Sequence, residues 1–140
     1  MQSGSIILYP LFAMMLLVLL VVVLLGVLRF RTVKSKAVSI KFYRSYTGDE
    51  PEYNKVVSRH YSNLFEMPVL FYLVVVLIYV TGQATFWMVE LAWAYVACRY
   101  VHSFIHLTGN NVKLRFSAFL ISVTILVTMW ISLLVRLLTF

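Results

Sequence analysis

The stretch IILYPLFAMMLLVLLVVVLLGVL, residues 6–28, carries no ionisable acid or base except Tyr9. As a helix rising about 1.5 Å per residue it reaches roughly 35 Å, enough to cross a hydrocarbon core of ~30 Å with some tilt. A cleaved signal peptide needs a basic leading region and a shorter apolar segment, whereas Met1 to Ser5 holds no base; the run reads as a retained span. Three further apolar runs follow, at 64–81, 86–107 and 116–135, parted by turn-forming residues near Gly82 and Gly109. The expected architecture is an all-α integral membrane protein, one domain of four transmembrane helices over 1–140.

Composition points the same way. At 62% hydrophobic and 12% charged residues, with a mean hydropathy of +0.91, the chain lies outside the range of soluble domains, and 16% aromatics exclude a disordered one. The single cysteine, Cys98, excludes an intramolecular disulfide and a cysteine-based zinc cluster. No internal repeat of the kind found in transporter halves is visible.

The net charge of +7 arises from 12 Lys and Arg against 5 Asp and Glu, and its distribution sets the topology. Eight of those bases, Arg29, Arg31, Lys34, Lys36, Lys41, Arg44, Lys55 and Arg59, lie in the loop 29–59, while the turn around Gly82 has none. By the positive-inside rule the loop and the Gly109 turn face the cytoplasm and both termini lie outside it. The basic loop therefore meets lipid headgroups; no base-reading motif accompanies it, so nucleic acid is not an expected partner. Within the loop, Pro51 with the acids around it predicts a helix start, and helix two enters the membrane near Asn63.

Ionisable groups at membrane depth are costly and must face protein, water or a ligand. Arg59, Asn63 and Glu66 fall at i, i+4 and i+7, one face of helix two near its cytoplasmic end. Such a stripe is either a polar clamp ordering the bundle or a site for a zwitterion: a guanidinium binds carboxylate, a carboxylate holds ammonium, and an amide does either. Arg99, His102 and His106 repeat the pattern at i, i+3 and i+7 on helix three, at the same leaflet. The two histidines lack an HExxH pattern and a third ligand, so no metal is expected. Lys113 reads as a headgroup anchor.

The segment from Arg59 to Pro68, RHYSNLFEMP, resembles the R-x3-N-x2-E motif, with a proline shortly after, on helix two of the MAPEG superfamily, the membrane-associated proteins in eicosanoid and glutathione metabolism. The block from Cys98 to Thr108, CRYVHSFIHLT, is similar to helix three of the microsomal glutathione transferase branch, and Arg115 falls where that branch carries a base at the start of helix four. The resemblance covers nearly the whole chain and suggests a bacterial-type member. It implies a four-helix protomer assembled as a homotrimer in the bacterial inner membrane, with glutathione as co-substrate near the cytoplasmic face and a lipophilic substrate entering from the bilayer. Arg59, Asn63 and Glu66 would then hold the peptide's charged ends, Arg99 would be a further site or structural residue, His102 and His106 would be further binding candidates beside it, and Arg115 would face the thiol. His106 stands where the enzymes commonly carry tyrosine, and Pro68 follows Glu66 by two positions where several relatives have a longer gap.

A free thiol has a pKa of about 8.5, so only a few per cent is thiolate at neutral pH, and a neighbouring guanidinium favours the anion. Arg115 stays charged and accepts no proton, which leaves solvent or His106 to take it. The implied chemistry is conjugation of an electrophile or reduction of a lipid hydroperoxide. Two rivals remain from other classes: a non-catalytic lipid- or glutathione-binding scaffold of the same fold, and a small proton-coupled exporter in which Glu66 is the coupling carboxylate.

Overall fold

The computed structural model describes residues 4–139, and among them the regular structure is entirely helical. A short 3-10 turn, Gly4–Ile7, leads into α1 (Leu8–Lys34), which is apolar all round except at its C-terminal end. Pro10 is tolerated because it sits in the first turn, where its missing N–H would have had no partner. In the apolar part of α1 the buried residues Pro10, Met14, Leu17, Val21 and Leu25 advance by three or four and make one stripe toward the protein, while Leu16, Leu19, Leu20 and Val23 stay exposed. An apolar exposed face is what lipid requires.

The basic loop is ordered by polar contacts of its own. It contains the single turn α2 (Phe42–Ser45), closed by Tyr46 in the left-handed conformation. The Arg29 guanidinium lies 5.2 Å from the Tyr43 ring centroid and 5.8 Å from that of Tyr46, and the Tyr43 hydroxyl donates to Glu50 at 3.3 Å. Burial, and then the Glu50 carboxylate, push the Tyr43 phenol above its usual range, so it stays a donor.

Helix two is two helices, α3 (Glu52–Asn63) and α4 (Met67–Val80), with Leu64 to Glu66 in a turn between them. Pro68 is the cause: it cannot donate to the carbonyl four residues back, and its ring would collide with that carbonyl at Leu64. The chain tightens instead, with Phe65 N–H donating to Ser62 O at 3.0 Å, and Glu66 becomes the N-cap of α4 at φ −98° and ψ −92°. Pro51, expected at the first helical position, is the N-cap residue of α3. Asn54 ties α3 to α1, its Nδ2 donating to Thr32 Oγ1 at 2.7 Å in the interior.

The turn at Gly82, whose φ of +69° suits glycine, leads to α5 (Phe86–Leu107), capped by the Thr85 hydroxyl accepting from Met88 N–H. Its partner is α6 (Val112–Thr139), and these two make the most extensive helix pair. Apolar side chains of α1, α4, α5 and α6 form the core, in which Phe71 stacks on Tyr95 at 4.4 Å.

Three segments are long and apolar enough to cross a membrane, Gly4–Lys34, Glu52–Val80 and Val112–Thr139. The 22-residue α5 has the length but carries Arg99, His102 and His106 on its buried face, while Trp93, Val101 and Phe104 are exposed on the other. The polar stripe lowers its mean hydropathy although its outward surface is apolar.

Candidate functional site

The site gathers where the α3–α4 break meets the turn between α5 and α6. That turn is built on two asparagines. Asn110, at φ +44°, takes the left-handed position expected of glycine and sends its N–H to Ile105 O at 2.8 Å, closing α5. Asn111 caps α6, its Oδ1 accepting from the N–H of Lys113 and Leu114 at 3.1 and 3.2 Å. Arg115 therefore stands one turn into α6 with its side chain folded back over the end of α5. Its Nη1 donates to Asn110 Oδ1 at 2.6 Å and lies 3.4 Å from His106 Nε2.

A cleft of about 200 Å³ opens beside Arg115, lined by Asn63, Glu66, His102, Arg115 and the apolar Val112, Phe116 and Phe119. It joins an acid, an amide and a guanidinium to an aromatic wall, the surface an amphipathic ion requires. Behind it, Arg99 is fully buried, with Nη2 donating to Asn63 O at a long 3.5 Å and its guanidinium carbon 6.0 Å from the Phe119 centroid. Its Nε and Nη1 have no hydrogen-bond partner among the described residues. A second, wholly apolar groove of about 430 Å³ runs alongside the break between α1 and α4, walled by residues such as Leu11, Met15, Leu64 and Tyr72.

The residues expected from sequence thus divide. Asn63, Glu66, His102 and Arg115 meet at the cleft, and Arg99 and His106 sit directly behind it. Arg59 does not line the cleft with them: it is exposed on α3, with Glu52 of the same helix at 3.9 Å. Within this protomer Arg59 is a surface residue.

Two participants escape the spacing argument. Asn110 reads in sequence only as a turn former, yet it holds the guanidinium. His60 is hidden beside Arg59, but it lies on the buried face of α3 three residues after Val57, and its imidazole is fully buried. Its ring centroid is 4.8 Å from that of His106 and 5.9 Å from that of His102. Among the described residues no group of His, Cys, Asp and Glu has a geometry that could hold a metal ion, and the cations Arg99 and Arg115 beside the imidazoles oppose one.

Comparison with known proteins places this arrangement. No curated protein and no solved structure matches the chain. The model of the MAPEG family matches residues 7–135, which takes in α1 to α5, α6 as far as Val135, and all the residues of the cleft. The chain is an integral membrane protein and belongs to the MAPEG family.

Proposed function

We propose that the protein is a membrane-bound glutathione transferase that conjugates lipophilic electrophiles, or reduces lipid hydroperoxides, with glutathione thiolate. The observation that carries this reading is the cleft in which Asn63, Glu66, His102 and Arg115 face an aromatic wall. Glu66 suits the peptide's ammonium, the Asn63 amide pairs with a polar group of either kind, and Arg115 is free of any carboxylate among the described residues and so available to an anion. The apolar groove between α1 and α4 gives a lipophile a place to lie at membrane depth.

In this reading α5 is a fourth span, lined inward by its polar stripe, and the protomers assemble as homotrimers. The loop 29–59 faces the cytoplasm of a bacterial cell, with both termini on the far side. Arg115 then acts electrostatically, stabilising sulfur's negative charge by about 1–3 kcal/mol.

Purified protein supplied with glutathione and an activated chloroarene tests the proposal. Conjugate is expected to form in proportion to protein. Glutathione binding with neither conjugate nor hydroperoxide reduction would leave the scaffold reading in its place.

A further inference from the structure

The end of the bundle opposite the cleft holds a groove of about 460 Å³ between the first turn of α5 and the last turns of α6. Thr85 and Trp87 line one side of it, and Ile131, Ser132, Val135 and Arg136 the other. The 22 residues of α5 rise about 1.5 Å each, which puts the groove roughly 30 Å from the cleft. A ligand there is out of reach of Arg115.

The polar side chains of the groove all offer donors. Five of the six hydroxyl side chains of α6, those of Ser117, Ser122, Thr124, Thr128 and Thr139, donate to carbonyls of their own helix. Ser132, the sixth, makes no such bond among the described residues, although it is half-buried in the groove. At membrane depth a hydroxyl without a partner is costly, and back-bonding to the helix is its usual remedy. The Ser132 hydroxyl therefore calls for an acceptor brought into the groove. Thr85 Oγ1 accepts from Met88 N–H at 3.3 Å, which leaves its O–H as a donor. Arg136 reaches from α6 to the turn before α5, its Nε donating to Gln83 Oε1 at 2.8 Å. That bond fixes the plane of a guanidinium, a planar fork that matches phosphate. Trp87 is 57% exposed, and its indole joins an apolar face to an N–H donor, as suits the lipid–water boundary. Residues 81–90 and 131–139 contain one base, Arg136, and one acid, Glu90, which is not among the residues lining the groove.

We infer that this groove binds the headgroup region of an anionic phospholipid, in the leaflet opposite the basic loop. The site stands apart from the glutathione reading and rests only on the chain's being embedded in a membrane. Its ligand has to bring acceptor oxygens at two levels, because Ser132 lies four residues before Arg136 and so about 6 Å deeper along the helix. A glycerophospholipid has that spread. Its phosphate falls at the level of Arg136 and Thr85, its ester carbonyls at the level of Ser132, and its chains run on over Ile131 and Val127, both exposed. A fatty-acid carboxylate supplies the first level only. An ethanolamine or choline headgroup sets a cation beside Arg136 with no carboxylate in the groove to hold it, whereas the glycerol end of phosphatidylglycerol adds neutral hydroxyls.

Native mass spectrometry of the full-length protein in neutral detergent tests the inference, with phosphatidylglycerol, phosphatidylcholine and oleate as probes. Wild type is expected to retain phosphatidylglycerol about tenfold better than phosphatidylcholine, and Arg136→Gln to bring the two within about twofold. Ser132→Ala should weaken both phospholipids alike, keep the preference and leave oleate unchanged. Equal retention of the two phospholipids by wild type overturns the inference without any variant. A preference that survives in folded Arg136→Gln overturns it too, since the charge would then be read elsewhere, as by the basic loop. Oleate held as well as phosphatidylglycerol makes the groove a fatty-acid site and contradicts the two-level match. Should Arg136→Gln not fold, Gln83→Ala and Ser132→Ala decide: phosphatidylglycerol retention unchanged in both overturns the site, and a loss in both supports it.

Discussion

Arg115 is held at its guanidinium by Asn110 and at its backbone carbonyl by His102, so its neighbours can be tested one at a time. Asn110 has two tasks, a left-handed backbone and a 2.6 Å bond to Nη1. Asn110→Gly keeps the first and loses the second, and is expected to lower turnover with little change in thermal stability. Asn110→Ala loses both and should also lose about 1 kcal/mol of stability, because a Cβ is strained at positive φ. Equal melting temperatures for the two variants would show that the turn does not depend on the left-handed residue. Glu66→Gln removes the cleft's one carboxylate and is expected to weaken glutathione binding about tenfold or more, the cost of a charge-assisted contact. Lys113→Ala, at an exposed anchor position, should leave the affinity within about twofold. Titration calorimetry on folded variants decides between them.

At the scale of elements, the break in helix two is the feature on which the cleft depends. Pro68→Ala restores the N–H and removes the clash, letting α3 and α4 join into one helix. Thermal stability is expected to hold within about 1 kcal/mol, while Glu66, turned out of its capping position, leaves the cleft and glutathione affinity falls. Unchanged affinity with a continuous helix by amide exchange would remove the break from the account. The same element shows what the sequence could and could not convey. Hydropathy located the apolar runs, and helical spacing on α5 correctly put Arg99, His102 and His106 on one buried face, because no proline or glycine interrupts that helix. On helix two the same spacing does not bring Arg59 to the cleft, because its exposed side chain lies beside Glu52 of its own helix. His60 was illegible for another reason: its partners lie more than 40 positions away on α5, and only packing brings the three rings together. Asn110 and Asn111 fell in a recognisable turn, but their bonds to Arg115 and the α6 amides follow from that turn's conformation.

For the whole molecule, orientation and site stand or fall together, because the cleft lies at the end of the bundle that the basic loop occupies. In a Cys98→Ala background, a cysteine at Ser45 should be shielded from an impermeant thiol reagent in intact cells and one at Gln83 labelled. The reverse pattern would place the cleft on the other side of the membrane. The central claim is that Arg115 stabilises a glutathione thiolate, and the most direct measurement is the ultraviolet titration of saturating glutathione on wild type and Arg115→Ala. A contribution of about 1–3 kcal/mol corresponds to roughly one to two pH units, so the Arg115→Ala curve should lie that much higher, with turnover at neutral pH falling alongside. Arg115→Lys should fall between, since the charge survives without the planar fork. Superimposable curves for wild type and Arg115→Ala would contradict the account and leave Arg115 as a headgroup anchor.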